Sequence, residues 1–394
     1  MILKKCCSRS LLIFTILVFM LPLAGAAGLG SMATAEATSA TPCGKGNHEL
    51  LQKLQKQHEG EAQGQLHFTD IEFLNDRMGR VAGNGFMIGT SDAGCHWQEI
   101  YTGQWQISQI DFPNNKNGWA LATFPSQRTN HLIQTSDGGA HWKNINTSIT
   151  FDRIDLLNEK EGFGYTATSA YKTVDGGKKF TQISTPVNNR YASFSNMKTG
   201  WSIVVIPSGG YRLMKTIDGG KQWSLKLKVA ADNNNGGEIY SNGNQVWAVL
   251  YGDSGMSQVS YSLYGSTDGG SHWNRVVAQD TAGSGPAPGS GKAIVHEGPA
   301  SPGGHPANMQ LIGKNTAFLA GGSPAGEVVS VGRSYNGEKT WTNITPSIEG
   351  YDARISFADN KKGWLAVVNS STKSAVYMTK DGGISWNVKF SLMK

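Results

Sequence analysis

One stretch of the chain looks like chemistry. TSDGGAHW, residues 135–142, sets the carboxylate of Asp137 between the hydroxyl of Thr135 and the imidazole of His141, the kind of polar group that holds a metal or presents a catalytic carboxylate. The stretch recurs seven times, as TSDAGCHW, TSDGGAHW, TVDGGKKF, TIDGGKQW, STDGGSHW, SYNGEKTW and TKDGGISW. Its third position holds Asp92, Asp137, Asp175, Asp218, Asp268, Asn336 and Asp381, at spacings of 45, 38, 43, 50, 68 and 45 residues. A carboxylate repeated in this way and replaced once by Asn is a turn-maker: it accepts backbone N–H bonds while the glycines supply positive φ. These seven positions are therefore read as structural. His96, His141 and His272 belong to the same repeat and fall in separate units, which argues against a shared metal site, since ligands must meet within a few ångströms. No GxSxG, Walker loop, HExxH or CxxC is present. No catalytic residue, metal or cofactor is expected.

A second signature precedes each turn: IDFPNNKNGWALA (110–122), IDLLNEKEGFGYT (154–166), ASFSNMKTGWSIV (192–204) and ISFADNKKGWLAV (355–367), with weaker copies at 71–83, 240–250 and 311–321. Of eleven tryptophans, six sit in the turn motif and four in this signature, so the large aromatics read as repeat core. Each unit reads as strand, polar turn, strand, loop, strand, Asp-Gly-Gly turn, strand. Four short antiparallel strands in about 45 residues make one propeller blade. The expected fold is all-β, a single seven-bladed β-propeller over residues 66–394. Both terminal blades are complete in this phase, so closure is expected to rest on blade 1 packing against blade 7.

The flanking segments read differently. Lys4, Lys5 and Arg9 precede an apolar run at 11–23 and the small residues 24–26, the pattern of a cleaved signal peptide over 1–26 and of an exported, secreted or cell-surface protein. Residues 27–65 are a polar linker in which Leu50, Leu51 and Leu54 give a short helix one apolar face. Residues 281–306, rich in Gly, Pro and Ser, are expected to form a flexible insertion between blades 5 and 6. Cys43 and Cys95 remain after the signal; they either pair or stay as free thiols. The formal net charge of +6 falls to +3 without the signal, too little to argue for nucleic acid.

The T-x-D-G-G-x-x-W turn with the upstream F-x-N-x-x-x-G-W signature resembles the photosystem II stability/assembly factor family of Asp-box (BNR) repeat propellers. The resemblance covers residues 66–394. It implies a seven-bladed propeller acting as a protein-binding scaffold in the assembly of a membrane complex. The chain itself is read as a non-catalytic monomer that binds a protein, or a glycan, with membrane contact only through a partner or an uncleaved signal.

Aligning the innermost strands places Gln109, Arg153, Tyr191 and Arg354 in one phase, with Arg190 one residue earlier and Asp70 and Asn308 at the matching places in blades 1 and 6. Arg153, Arg190 and Arg354 either converge at the channel mouth as a carboxylate- or phosphate-binding cluster or stand as solvated strand starts. An arginine triad is also a sialidase feature, so a sialidase-like exo-glycosidase is the alternative. It would further need a Tyr–Glu nucleophile pair and an acidic Asp, and the chain lacks the usual (F/Y)RIP segment.

Overall fold

The computed structural model describes residues 42–59, 66–145, 147–255, 257–300, 304–345, 347–370 and 373–393. The expected signal peptide and residues 27–41 and 60–65 of the linker lie outside them. Seven four-stranded antiparallel units follow in chain order, and each is hydrogen-bonded between sequence neighbours. The innermost strands are Phe68–Phe73, the second half of Gln98–Asp111, Arg153–Leu156, Asn189–Phe194, Gly237–Asn242, His305–Ile312 and Asp352–Phe357. The strand Gly79–Thr90 doubles back at Gly85 (φ 88°), so that Gly79 and Gly89 lie side by side and the two middle strands of blade 1 form one hairpin. The second strands are buried along their whole length in four blades, because both faces are covered by neighbouring blades. Trp119, Trp201, Trp247 and Trp364, all from the second signature, are among the largest fully buried side chains.

The repeated turn has one geometry in all seven units. The Oδ1 atom of Asp or Asn accepts the amide four residues on, at 2.9–3.1 Å, and the Ser or Thr hydroxyl two residues earlier at 2.8–3.1 Å. The N–H of the next residue donates to a carbonyl of the turn between the first and second strands, as from Gly138 to Lys116 (2.7 Å) and from Gly219 to Lys198 (2.8 Å). The two sets of turns therefore share one face of the disc. Asn336 makes the same amide bond as the aspartates, through Thr340 N at 3.1 Å. Three units add an imidazole: His96, His141 and His272 place Nδ1 on the second carboxylate oxygen at 2.6, 2.7 and 2.5 Å. Asp92, Cys95 and His96 lie close enough together for a metal, but the Cys95 sulfur is bonded to Cys43 and is no ligand.

The ring closes by packing blade 7 on blade 1, without a strand exchanged between them. The Phe73 ring stacks on Trp364 at 3.5 Å, Phe73 N donates to Ser356 Oγ (2.8 Å) and Asn369 N to Phe68 O (3.1 Å). The helix Asn47–Gln57 seals this seam from outside. Leu50, Leu51 and Leu54 join the core shared by blades 1 and 7, and Asn47 accepts from Trp97 N and donates to Lys389 O. The Cys43–Cys95 disulfide, with Gly44 N on Cys95 O, fastens the helix start to the first turn.

The stretch 281–306 departs from the flexible loop expected of its composition. Its described residues run back along the outer strand of blade 5: Val295 N donates to Val276 O (3.0 Å), Ala278 N to Val295 O (3.1 Å) and Arg275 Nη2 to Ala287 O (3.0 Å). Ala287, Ala293 and Ala300 are buried. Small side chains let this segment lie flat on a sheet edge whose amides would otherwise face water.

Two measurements check this frame. Reducing Cys43–Cys95, or the substitution Cys95→Ser, lowers unfolding stability by about 2–4 kcal/mol, because the cross-link restricts the unfolded chain; a denaturant midpoint unmoved by reductant would contradict it. The turn amides and His141 hold the Asp137 carboxyl down at about 2, against roughly 3.9 unfolded. Its contribution to stability is complete above pH about 4 and is lost as pH falls towards 2, so Asp137→Asn should flatten the melting temperature over that window.

Candidate functional site

The positions aligned in the sequence face the axis, and most of them hold the next blade. At the first junction Asp70 Oδ2 accepts Ile110 N (2.9 Å) and Glu72 accepts Phe112 N (3.0 Å). At the second, Gln109 takes both backbone groups of Ile154, accepting from N at 3.0 Å and donating to O at 2.8 Å, while Asp111 accepts Leu156 N (2.7 Å). Asn308 and Gln310 repeat the device on Ile355 and Phe357, and Ser356 returns it to Phe73. Side chains two residues apart on an inner strand thus tie down the inner strand of the next blade, 40–47 residues later, and Ser356 does the same across the seam. Gln109 is fully occupied in this role.

Burial shapes the carboxylates here. It raises Asp70 to about 6 against the amides of Ile110 and Ile71 and the positive charge of Arg354, which lower it. Burial also raises Glu72, Asp111 and Asp155; the charge of Asp111 adds to the rise at Glu72, and that of Asp155 to the rise at Asp111.

The three arginines do not form one cluster. Arg153 is clamped: its guanidinium lies 4.0 Å from the ring centre of Tyr165 and 4.1 Å from that of Tyr191, and it donates to Tyr191 Oη and Ala192 O, with Asp155 at 3.8 Å. Arg153 and Tyr191 are therefore brought together, but as a packed pair. Arg190 is exposed and reaches only its neighbour's carbonyl, Asn189 O at 3.2 Å. Arg354, one-third exposed, lies 3.6 Å from Asp352. Among the described residues none of the three shares a hydrogen-bond partner with another.

What opens to solvent is a cavity of about 290 Å³ on the face opposite the aspartate turns, between the inner-strand starts of blades 5, 6 and 7. Arg354, Asp352, Tyr351, His305, Asn308 and Glu238 line it. Glu238 is the residue that the sequence alignment missed. It accepts from Tyr251 Oη at 2.9 Å and from Tyr240 Oη, and burial, then the Glu238 charge, pushes both phenols well above their ordinary value. The signal was present, since E-I-Y at 238–240 matches R-I-D at 153–155, but the fifth copy of the upstream signature is too degenerate to set the phase. The cavity offers a guanidinium, two carboxylates, a phenol and an imidazole.

The inter-blade bonds are open to test. Gln310→Ala strands the amide and carbonyl of Phe357 and should cost about 1–3 kcal/mol in urea unfolding; a loss below about 0.5 kcal/mol would show that water replaces the side chain.

No protein-family model matches the sequence, and no curated protein does. Solved structures share the fold. YCF48 from Cyanidioschyzon merolae superposes with a TM-score of 0.51 at 15% identity, over 82% of this chain and 97% of that one. A YCF48 bound to a D1 peptide gives 0.49 at 16%, over 81% and 92%. The GH74 xyloglucanase from Xanthomonas campestris gives 0.57 at 10%, over 83% of this chain and 55% of the enzyme. The chain has an all-β propeller fold like that of the YCF48 from Cyanidioschyzon merolae and of the propellers of the GH74 xyloglucanase.

Proposed function

We propose that the chain is an exported, non-catalytic Asp-box (BNR-type) propeller, cut from a signal peptide, that binds a protein segment as a monomer at the channel mouth. The observation that carries this reading is the cavity around Arg354, which is polar, open and built on rigid strand starts. Arg354 has a free guanidinium edge, whereas Arg153 is committed to its two tyrosines. A partner carboxylate would meet Arg354, and Tyr351 and His305 would flank it. The fold likeness to YCF48 agrees with a scaffold role and with assembly of a membrane complex as its setting. A glycan is the second ligand class that such a cavity admits.

One observation favours the glycosidase reading. Glu238 with Tyr240 and Tyr251 is a Tyr–Glu pair in the channel, near Asp352 and Arg354. The raised phenol pKa values speak against it, because a phenol held protonated is a poor nucleophile.

A pull-down from the source cell's extract, paired with fluorogenic sialosides and β-glycosides, separates the two. A scaffold yields partners that are lost with Arg354→Ala, and no turnover. Turnover abolished by Glu238→Gln would replace the scaffold with an enzyme.

A further inference from the structure

The chain's positive charge is concentrated in one sector. Residues 157–229, which span most of blade 3 and all of blade 4, hold eleven Lys and Arg against four Asp and Glu, an excess of seven where the whole chain has six. Lys160, Lys178, Lys179, Lys198 and Lys221 are exposed on or beside the aspartate turns. The bonds from Gly176 to Lys160 O and from Gly219 to Lys198 O place the turns and these lysines on one face. Among the described residues none of the five lysines has a carboxylate within ion-pair distance. At the rim, Arg212 stands directly opposite Lys228 in the register, a like-charge pair that weakens a sheet unless an outside anion offsets it.

Apolar side chains stand among these lysines. Val174 (62% exposed) and Ile217 (72%) occupy the position just before the turn aspartate, where units 1 and 2 carry Ser91 and Ser136. Ile217 also edges a hollow of about 430 Å³ with Lys215, Ser195 and Asn242. Lysines around protruding aliphatics are the composition of a surface that adsorbs on anionic lipid: the ammonium groups meet the headgroups and the aliphatics enter the interface. Nine of the eleven cations are Lys, and a compact point charge suits a diffuse anionic surface better than bidentate recognition of one carboxylate.

We propose that the aspartate-turn face of blades 3 and 4 docks on an anionic phospholipid surface, leaving the channel mouth turned away from the membrane.

Amine-labelling footprints of the full chain, read by mass spectrometry, test this with vesicles of phosphatidylcholine alone or with about one-third phosphatidylglycerol. Lys178, Lys179, Lys198 and Lys221 should be protected several-fold by the anionic vesicles only, with Lys373 unchanged, and the protection should vanish as salt rises from about 0.05 to about 0.5 M. The segment with Lys4, Lys5 and Arg9 is itself cationic, so the site-by-site protection of the four turn-face lysines, and not total binding, is the readout that decides. In co-sedimentation with the anionic vesicles, changing the four lysines to Gln should remove the preference for phosphatidylglycerol, on the order of 100-fold in partitioning. Equal labelling on the two vesicles overturns the proposal. So does protection by soluble polyglutamate with none by phosphatidylglycerol, which would assign the face to an acidic protein.

Discussion

At four of the seven blade junctions, side chains reach across the inner strands to backbone amides of the next blade. Within a blade the hydrogen-bond ladder is complete without help; among the described residues the inner strands of neighbouring blades share almost none, the parallel pairing of Phe68 with Val368 at the seam apart, and their outer amides would face a narrow channel unpaired. Asp70, Glu72, Gln109, Asp111, Asn308, Gln310 and Ser356 supply the missing partners. The requirement is for an acceptor at a set distance, so residue type varies while position does not. Where the acceptor is a carboxylate, burial exacts a cost that the elevated Asp70 pKa makes visible.

The turns and the blade count were legible in the sequence because they are local. Oxygen, hydroxyl and glycines lie within five residues of one another, and every copy repeats the same geometry. The inner-strand phase was legible too, but its meaning was not. Gln109 and Ile154 are 45 residues apart, and nothing in either neighbourhood announces the other. Arg153 reads as a free cation until Tyr165 and Tyr191 are seen on its two faces. The insertion misled for a different reason: composition reports side chains, and this segment is held by its backbone and by small buried alanines. The helix was legible from its three leucines, whereas its position over the seam depends on Asn47, an unremarkable residue in the sequence.

The two faces of the disc divide their chemistry. The mouth face is shaped, with mixed charge and aromatic walls built on strand starts that cannot move independently. The turn face is shallow and repetitive, and its seven copies were free to diverge at the residue before each aspartate without disturbing the bonds below. Serine, valine, isoleucine, threonine, tyrosine and lysine all occur there. The fold thus separates a place for selective contact from a place where surface character can be set blade by blade.

The clasp at the seam also fixes an order of events. Asn47 bonds both to Trp97 in blade 1 and to Lys389, 342 residues later, so the helix Asn47–Gln57 finds half of its seat early and the other half only when the last strand exists. Its three leucines can rest on blade 1, but the blade 7 side of the core they join stays open through the synthesis of all seven blades. Closure is therefore the final step of maturation, and any factor that shields a short leucine-rich helix from premature association would act on the whole ring.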